Sequence, residues 1–232
     1  MKFTKSLIKG KLVKRYKRFF TDVNLNQETI VAHCPNTGSM MGLLDEGNEV
    51  FVSKNDDPKR KLKYTLEIIK VKKRLFGVNT HFANKIALHG LTNNLIKEIT
   101  NNDNINPEVF FDKETRFDFL IEKNNQKIFV EVKNVTLLRK NKIAEFPDAV
   151  TSRGSKHLKT LIEATKKGYK TYLLFLIQIE GVTSFKIAKD IDKEYYENYK
   201  HAKKAGVKFL AYRCKISSKE IKIEKKIKIT ND

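Results

Sequence analysis

Short apolar segments separated by polar turns characterise the first eighty residues. Apolar and β-branched residues recur in runs of two to eight, which is typical of β-strands. Turn-forming sequences stand between them, most clearly Pro35-Asn36-Thr37-Gly38 and Asp45-Glu46-Gly47-Asn48. The predicted strands cover 12–13, 18–23, 29–34, 49–53, 64–71 and 75–78. Strands this short and this closely spaced predict a small barrel or sandwich.

After residue 82 the apolar pattern changes to one of longer elements. Helical spacing over 86–99, interrupted by Gly90, predicts a first helix. Two more helices are predicted over 156–167 and 192–205, and strands over 117–121, 128–132, 172–179 and 207–212. The segment 221–230 alternates isoleucine with charge, as in an edge strand guarded by lysine or in a frayed basic tail. Together the pattern predicts an α/β (α+β) protein whose second domain, 83–232, has a mixed central sheet.

A large positive charge favours a polyanionic partner. Lysine and arginine number 47 against 27 acidic residues, a formal net charge of +20, while the 40% apolar content supports a folded core. Nucleic acid is the expected partner. The alternative is a compositional bias that supplies lysines without any role in binding. In so basic a chain we predict that residues 1–82 form an OB-like nucleic-acid-binding barrel.

Two carboxylates and a lysine lie on a predicted hairpin. A turn centred on Asn124-Asn125 pairs residues whose numbers sum to 249, so Asp118 is predicted to face Glu131, with Lys133 on the same face as Glu131. Opposed like charges destabilise a sheet, so a cation is expected between them. Asp118 and Glu131 are therefore candidate ligands for Mg²⁺ or Mn²⁺, and Lys133 a candidate to orient or deprotonate the attacking water. The alternative is a solvated strand face that Lys133 neutralises.

Three groups of cations are candidate DNA contacts. Arg15, Lys17 and Arg18 are interleaved with aromatic residues, although an amphipathic barrel strand with Tyr16 in the core would show the same pattern. Lys59, Arg60 and Lys61 follow a turn and form either a basic loop over nucleic acid or a solvated charge run. Arg153, Lys156 and His157 begin a predicted helix, whose free N–H groups favour an anion such as phosphate.

The order of elements from 83 onward resembles the core of the PD-(D/E)XK nucleases. That resemblance implies catalytic Asp118, Glu131 and Lys133, and Glu98 stands where the family often has a third, helix-borne carboxylate. A solvated helix-end glutamate is the alternative for Glu98. The family also commonly has a polar residue that completes the site, and Gln178 is either that residue or a hydrogen-bonded core amide.

Successive sequence blocks are similar to those of a more specific family, that of sugar fermentation stimulation protein A. The blocks are LVKRYKRFFTDV at 12–23, HCPNTGSM at 33–40, DDPKRKLKYTLE at 56–67, GVNT at 77–80, RFDFL at 116–120, EVKNVTL at 131–137 and FPDAVTSRGSKHL at 146–158. The resemblance implies an OB-like domain, a nuclease-like domain and DNA binding. One departure is Phe111-Asp112, where the family usually has Tyr-Gly.

Three functions follow from these expectations. The first is a DNA-binding protein that cleaves phosphodiesters with Mg²⁺ or Mn²⁺. The second is a non-catalytic DNA-binding regulator of sugar metabolism, and the third an RNA-binding or RNA-processing protein. Cys34 and Cys214 match no disulfide or zinc spacing, and no apolar run suits a membrane span or signal peptide, so the cytoplasm is the expected compartment. The oligomeric state is left open, a homodimer included.

Overall fold

The computed structural model describes residues 1–26, 28–140 and 142–230. Its N-terminal part is a five-stranded closed barrel. Its strands are β1 (Ile8–Tyr16), β2 (Phe20–Leu25), β3 (Glu28–His33), β4 (Glu49–Lys54) and β5 (Tyr64–Val71), and β6 (Arg74–Gly77) adds to β5. Parallel pairing of Ala32 with Tyr64 joins β3 to β5 and closes the barrel. The prediction of an OB-like barrel is confirmed.

Alternating burial explains why these segments form barrel strands. In β2, Thr21, Val23 and Leu25 are buried and the residues between them are more exposed. Gly10 on β1 allows the neighbouring strand to approach, since a Cβ there would lie 2.5 Å from Leu25 Cδ2 and 2.8 Å from the Asn24 carbonyl.

The second part is a six-stranded mixed sheet with helices. The elements are α1 (His81–Thr92), β7 (Asn104–Phe110), β8 (Arg116–Lys123), β9 (Gln126–Val135), β10 (Leu137–Lys140), β11 (Ile143–Phe146), α2 (Ser152–Lys166), β12 (Lys170–Ile177), β13 (Ser184–Ile187), α3 (Lys193–Lys204), β14 (Lys208–Ile216), β15 (Ile221–Lys226) and β16 (Lys228–Ile229). The strand order in the large sheet is β15-β14-β12-β9-β8-β7, with parallel pairs at the centre and antiparallel pairs toward both edges. A smaller sheet has the order β10-β11-β13-β16.

The bounds of α1 and α2 differ from the sequence prediction. α1 stops at Thr92 instead of reaching residue 99, because Asn93 caps it and Asn94 takes a left-handed φ of 55°. α2 begins at Ser152, earlier than predicted, with the Thr151 side chain accepting a hydrogen bond from the Gly154 N–H. The predicted cap of α3 is confirmed, since Asp192 accepts a hydrogen bond from the Tyr195 N–H.

The barrel and the α/β part share a core. One buried cluster contains residues from both, including Leu12, Val23, Val50, Leu158, Phe175 and Phe185. The Gly77 N–H donates a 3.0 Å hydrogen bond to the Gln178 carbonyl, and an isolated bridge pairs Phe76 with Ile179. The division of the chain after residue 82 stays a prediction.

In the described ranges, no helix has the length and apolar character needed to cross a membrane. Cys34 and Cys214 are both buried free thiols.

Candidate active site

The hairpin formed by β8 and β9 has the predicted register. Phe119 pairs with Val130 and Ile121 with Ile128, so the residue numbers of each pair sum to 249. The turn residues Asn124 and Asn125 adopt positive φ angles of 48° and 60°, as a tight hairpin turn requires.

The ladder departs from regular pairing at Asp118. The recorded β8–β9 pairs end at Phe119, and Asp118 Oδ2 instead accepts a 2.7 Å hydrogen bond from the Val132 N–H. On the other side of β8, the pairing with β7 omits Asp118 together with Glu108, whose φ is 58°, and resumes in the same register at Phe117. Asp118 is therefore held beside Glu131 by a backbone contact, and not by a continuous ladder.

A second hydrogen bond to the Asp118 carboxylate comes from α1. Asn84 Nδ2 donates a 2.8 Å hydrogen bond to Asp118 Oδ1. The sequence analysis missed Asn84, because a neutral amide on a helix carries no charge signal. Its position two residues before Ile86, on the polar side of the predicted apolar stripe, was the available clue.

Glu131 lies at the bottom of the site with one oxygen paired and one unpaired. Its side chain is 2% exposed. Oε1 accepts a 2.8 Å hydrogen bond from Lys133 Nζ and also contacts His157 Nδ1. Lys133 Nζ and His157 Nδ1 are 3.3 Å apart. Among the described residues, Oε2 of Glu131 has no hydrogen-bond partner.

The two carboxylates differ in their electrostatics. Burial, followed by the charge of Glu131, raises the pKa of Asp118 to about 6, despite the hydrogen bonds from Val132 and Asn84. Burial also acts to raise the pKa of Glu131, but the charge of Lys133 and the contact with His157 outweigh it, so that pKa lies below its usual range. Burial and then the Glu131 charge raise the pKa of Tyr195 well above normal. Near neutral pH Glu131 is thus the firmly ionised member of the pair.

A cleft of about 470 Å³ opens above Asp118 and His157. Arg116, Arg153 and Lys156 line it, together with Glu108, Glu114 and the exposed Phe110 ring. Arg116 is paired with Glu108 at 2.6 Å and Lys156 with Glu114 at 2.9 Å. Cations and an aromatic ring therefore surround an entrance that leads to Asp118 and His157.

The three residues predicted at the start of α2 separate into two roles. Arg153 and Lys156 are exposed at the cleft, where a phosphate contact stays a prediction. His157 is 7% exposed and lies in the second turn, against Glu131 and Lys133. Arg153 Nε lies 3.4 Å from His157 Nε2 and so connects the cleft wall to the cluster.

The cations of the barrel lie apart from this cluster. Arg15 is half-buried and donates hydrogen bonds to the carbonyls of Asn36, Gly38 and Arg18, so it supports the neighbouring loop. Lys17 and Arg18 are exposed at the tip of the β1–β2 hairpin, with φ angles of 45° and 61°.

Tyr16 is not in the barrel core, contrary to one sequence alternative. It is half-buried, and its ring stacks on that of Phe20 with centroids 5.5 Å apart. Lys59 and Lys61 are exposed in the β4–β5 loop, whereas Arg60 turns back and donates to Thr65 Oγ1 at 3.2 Å. DNA contacts by these barrel residues stay predictions.

Glu98 and Gln178 are not brought to the carboxylate pair. Glu98 follows the end of α1, accepts a 2.7 Å hydrogen bond from the Tyr212 hydroxyl and pairs with Lys226 at 2.5 Å. Gln178 Nε2 donates to Asn134 Oδ1 at 2.6 Å at the junction with the barrel. Neither contacts Asp118 or Glu131, because α1 ends before Glu98 and β12 ends before Gln178.

The donor set suits a hard cation that keeps several waters. Asp118 and Glu131 offer two carboxylates, and the unpaired buried Oε2 of Glu131 lacks the partner that a cation would provide. In the part of the chain that the structure describes, no three His, Cys, Asp or Glu side chains converge as a metal site. The pair would therefore supply only part of a coordination sphere.

Comparison with known proteins identifies the family. Residues 13–78 match the model of the SfsA N-terminal OB domain, and residues 81–220 match that of the sugar fermentation stimulation protein RE domain. The sugar fermentation stimulation protein homolog of Pelagibacter ubique is 81% identical over 231 residues, covering 100% of both chains. The homolog of Pseudoalteromonas atlantica is 46% identical, covering 98% of each.

A solved structure agrees with these matches. The structure of Pyrococcus furiosus SfsA in complex with Ca²⁺ superposes with a TM-score of 0.90 at 25% identity, covering 100% of this chain and 98% of that one. The two domain models, the curated relatives and the shared fold lead to one conclusion: this chain belongs to the sugar fermentation stimulation protein family.

Proposed function

We propose that this protein binds DNA and hydrolyses its phosphodiester bonds with a divalent cation, Mg²⁺ or Mn²⁺, held by Asp118 and Glu131. The observation that carries the proposal is the buried, unpaired Oε2 of Glu131 beside Asp118 at the end of a cation-lined cleft. The Ca²⁺ bound by the Pyrococcus furiosus relative supports a divalent ion at a protein of this fold. Ca²⁺ and Mg²⁺ both prefer carboxylate oxygens.

The side chains around the pair have distinct roles in this proposal. A divalent cation, when bound, supplies Lewis acidity toward the phosphoryl group and lowers the pKa of a water. Lys133 Nζ, fixed 2.8 Å from Glu131 Oε1, orients the attacking water and receives or supplies a proton. His157 holds both groups in place. Asn84 and the Val132 N–H fix the Asp118 carboxylate.

Arg116, Arg153 and Lys156 would bind the phosphates that flank the scissile bond. Arginine suits this task because its planar guanidinium donates two parallel hydrogen bonds to a phosphate. Arg116 already has Glu108 as a partner and Lys156 has Glu114, so their shares of the binding are expected to be smaller than that of Arg153.

A second candidate, a non-catalytic DNA-binding regulator, has one specific observation in its favour. The third carboxylate common in PD-(D/E)XK sites is absent from the pair, since Glu98 is bonded to Tyr212 and Lys226. Under this alternative the same cleft binds DNA without cleaving it. RNA is the third candidate, because phosphate contacts of this kind do not distinguish the two nucleic acids.

A cleavage assay separates these candidates. Single- and double-stranded DNA and RNA are incubated with Mg²⁺ or Mn²⁺ and with wild type, Asp118→Asn, Glu131→Gln or, as a control on the same hairpin, Glu122→Gln. Loss of cleavage in the first two variants, with DNA binding retained and the control active, supports the nuclease. If the wild type leaves the DNA intact and calorimetry shows no binding of divalent cations, the non-catalytic regulator is the supported candidate. Cleavage of RNA alone would favour the third candidate.

A further inference from the structure

A second concave site lies between the barrel and α1. Its volume is about 550 Å³, and no residue that lines it also lines the cleft above Asp118. Pockets for small organic ligands typically measure roughly 300–1,000 Å³. The cavity is thus large enough for a molecule the size of a nucleotide and is separate from the proposed hydrolytic centre.

Its most unusual lining residue is Glu67 of β5, a barrel glutamate that is 2% exposed. Glu67 Oε1 accepts a 2.6 Å hydrogen bond from Ser53 Oγ, and Oε2 accepts one of 2.8 Å from Asn79 Nδ2. Burial raises the pKa of Glu67, opposed by these two hydrogen bonds and by the charges of Arg60 and Lys85. Each carboxylate oxygen can accept a further hydrogen bond. These two donors hold both oxygens of Glu67 in place at the wall of the cavity.

The charges of the other lining groups favour an anion over a metal ion as the ligand of the cavity. Arg60 and Lys85 both act on Glu67 electrostatically, and neither has a carboxylate within ion-pair distance among the described residues. Lys5 and Lys54 share the single carboxylate of Asp56 at the rim. Positive charge on this scale opposes a cation and favours an anion.

Aromatic and imidazole rings complete the walls of the cavity. The Phe82 ring lies 5.7 Å from that of Phe3, and the His33 ring lies 6.5 Å from that of His81. Burial and the neighbouring His81 and Arg60 lower the pKa of His33, which favours its neutral form. Aromatic and neutral imidazole rings are surfaces on which a base stacks.

A ligand for this cavity therefore needs three features. It must donate hydrogen bonds to a carboxylate, offer a flat ring, and carry negative charge. We propose that the cavity binds one nucleotide, with a guanine base donating its N1–H and 2-amino group to Glu67 and its phosphate lying against Arg60 and Lys85. Guanine presents these two donors side by side, as a carboxylate with two acceptor oxygens requires.

Two sources would supply such a ligand: a free nucleotide, or an unpaired guanosine of a nucleic acid strand. Their shared chemistry is one guanine nucleotide. The proposal does not depend on hydrolysis at Asp118 and Glu131, because the two sites share no residue.

Isothermal titration calorimetry in EDTA tests the base contact. GMP should bind the wild-type protein, and IMP, which lacks only the 2-amino group, should bind roughly 10- to 100-fold more weakly. Glu67→Gln should weaken the binding of GMP by a similar factor and reduce the preference for GMP over IMP. Glu49→Gln, a substitution on β4 whose side chain pairs with Lys9 and Lys70, should change neither. No heat with GMP, or equal affinity for GMP and IMP, would overturn the proposal.

A rim variant keeps the test decisive if Glu67→Gln does not fold. Lys85 is exposed, so Lys85→Gln should leave the fold intact. It should weaken the binding of GMP roughly threefold and leave the binding of guanosine, which has no phosphate, unchanged. Equal effects on GMP and guanosine would contradict the placement of the phosphate.

Two further arms identify the source and separate this site from the proposed nuclease. The affinity of the protein is measured for duplexes with a single unpaired terminal guanosine and for duplexes with a terminal uridine. If the protein prefers the guanosine duplex and GMP competes with it, the natural ligand is a strand end. If the protein binds GMP but shows no such preference, the natural ligand is a free nucleotide. Asp118→Asn should bind GMP as the wild type does. Loss of GMP binding in that variant would contradict two independent sites.

Discussion

The Asp118 carboxylate accepts its 2.7 Å hydrogen bond from the backbone N–H of Val132, the residue that follows Glu131 on the neighbouring strand. This contact keeps two carboxylates close together away from water, where burial and then the charge of Glu131 raise the pKa of Asp118. Proteins commonly accept such strain where a ligand later relieves it.

Replacing Asp118 by Asn should stabilise the metal-free protein. The pKa of Asp118 is raised from 3.8 to about 6 on folding, so the folded state binds a proton more readily than the unfolded state between these values. Stability from this group is therefore present at low pH and lost as pH rises toward 6. At pH 8, Asp118→Asn should raise the free energy of unfolding by about 2 kcal/mol.

Urea unfolding in EDTA at pH 8 and pH 4 measures this effect, and most of the difference should disappear at pH 4. Asp112→Asn is the matched control, since backbone hydrogen bonds from Glu114 and Thr115 lower the pKa of that carboxylate. It should not stabilise the protein. A destabilised Asp118→Asn at pH 8 would show that the carboxylate pair does not strain the fold.

Replacing His157 by Gln should reduce cleavage and divalent binding by roughly 10- to 100-fold, the usual effect of losing a partner that orients a ligand. The reason is that His157 contacts Glu131 Oε1 and lies 3.3 Å from Lys133 Nζ. Metal titration measures the loss of divalent binding. The pH profile of cleavage tests the role of His157 further, because a merely structural role would not change the shape of that profile. His201→Gln, in the last turn of α3, should behave as wild type.

Removing two cleft cations should reduce the salt dependence of DNA binding. If Arg153 and Lys156 each neutralise a phosphate, the double alanine variant should lower the slope of log affinity against log salt by about 2. Lys159→Ala is the control, since Lys159 lies on the same helix but does not line the cleft. An unchanged slope in the double variant would place the DNA elsewhere.

Gly10→Ala should destabilise the barrel by about 1–3 kcal/mol, the usual cost of overpacking. The new methyl group would lie within 2.8 Å of the Asn24 backbone carbonyl, which cannot move aside as a side chain can. Thermal unfolding measures the loss. Lys11→Ala, at the adjacent exposed position, should change stability by no more than about 0.5 kcal/mol. Equal stability of the two variants would refute the packing argument.

Local sequence signals predicted the hairpin well. Side-chain alternation and the Asn124-Asn125 turn fix its register, because a slip of one residue would turn buried Phe119 and Ile121 toward the opposite face. The barrel was predictable for a similar reason, since strands such as β2 and β4 alternate and the turns contain glycine and proline.

Long-range geometry was not predictable in the same way. The four-residue strands β10, β11 and β13 are too short to show a period, and β7 contains Pro107, which is tolerated because β7 is an edge strand. Glu98 was predicted from its position on a helix that was expected to reach residue 99, but Asn93 and Asn94 end α1 first. Asn84 and His157 reach the carboxylates only through the packing of two helices on the sheet.

The core shared by the barrel and the α/β part has a consequence for how the chain unfolds. Because residues of both parts pack in one cluster, and because the Gly77 N–H is bonded to the Gln178 carbonyl across the junction, neither part can lose its structure without exposing apolar surface of the other. Heating is therefore expected to melt the barrel and the sheet in a single cooperative transition. A chain severed after residue 82 would leave two fragments, each with an uncovered hydrophobic face and a tendency to aggregate.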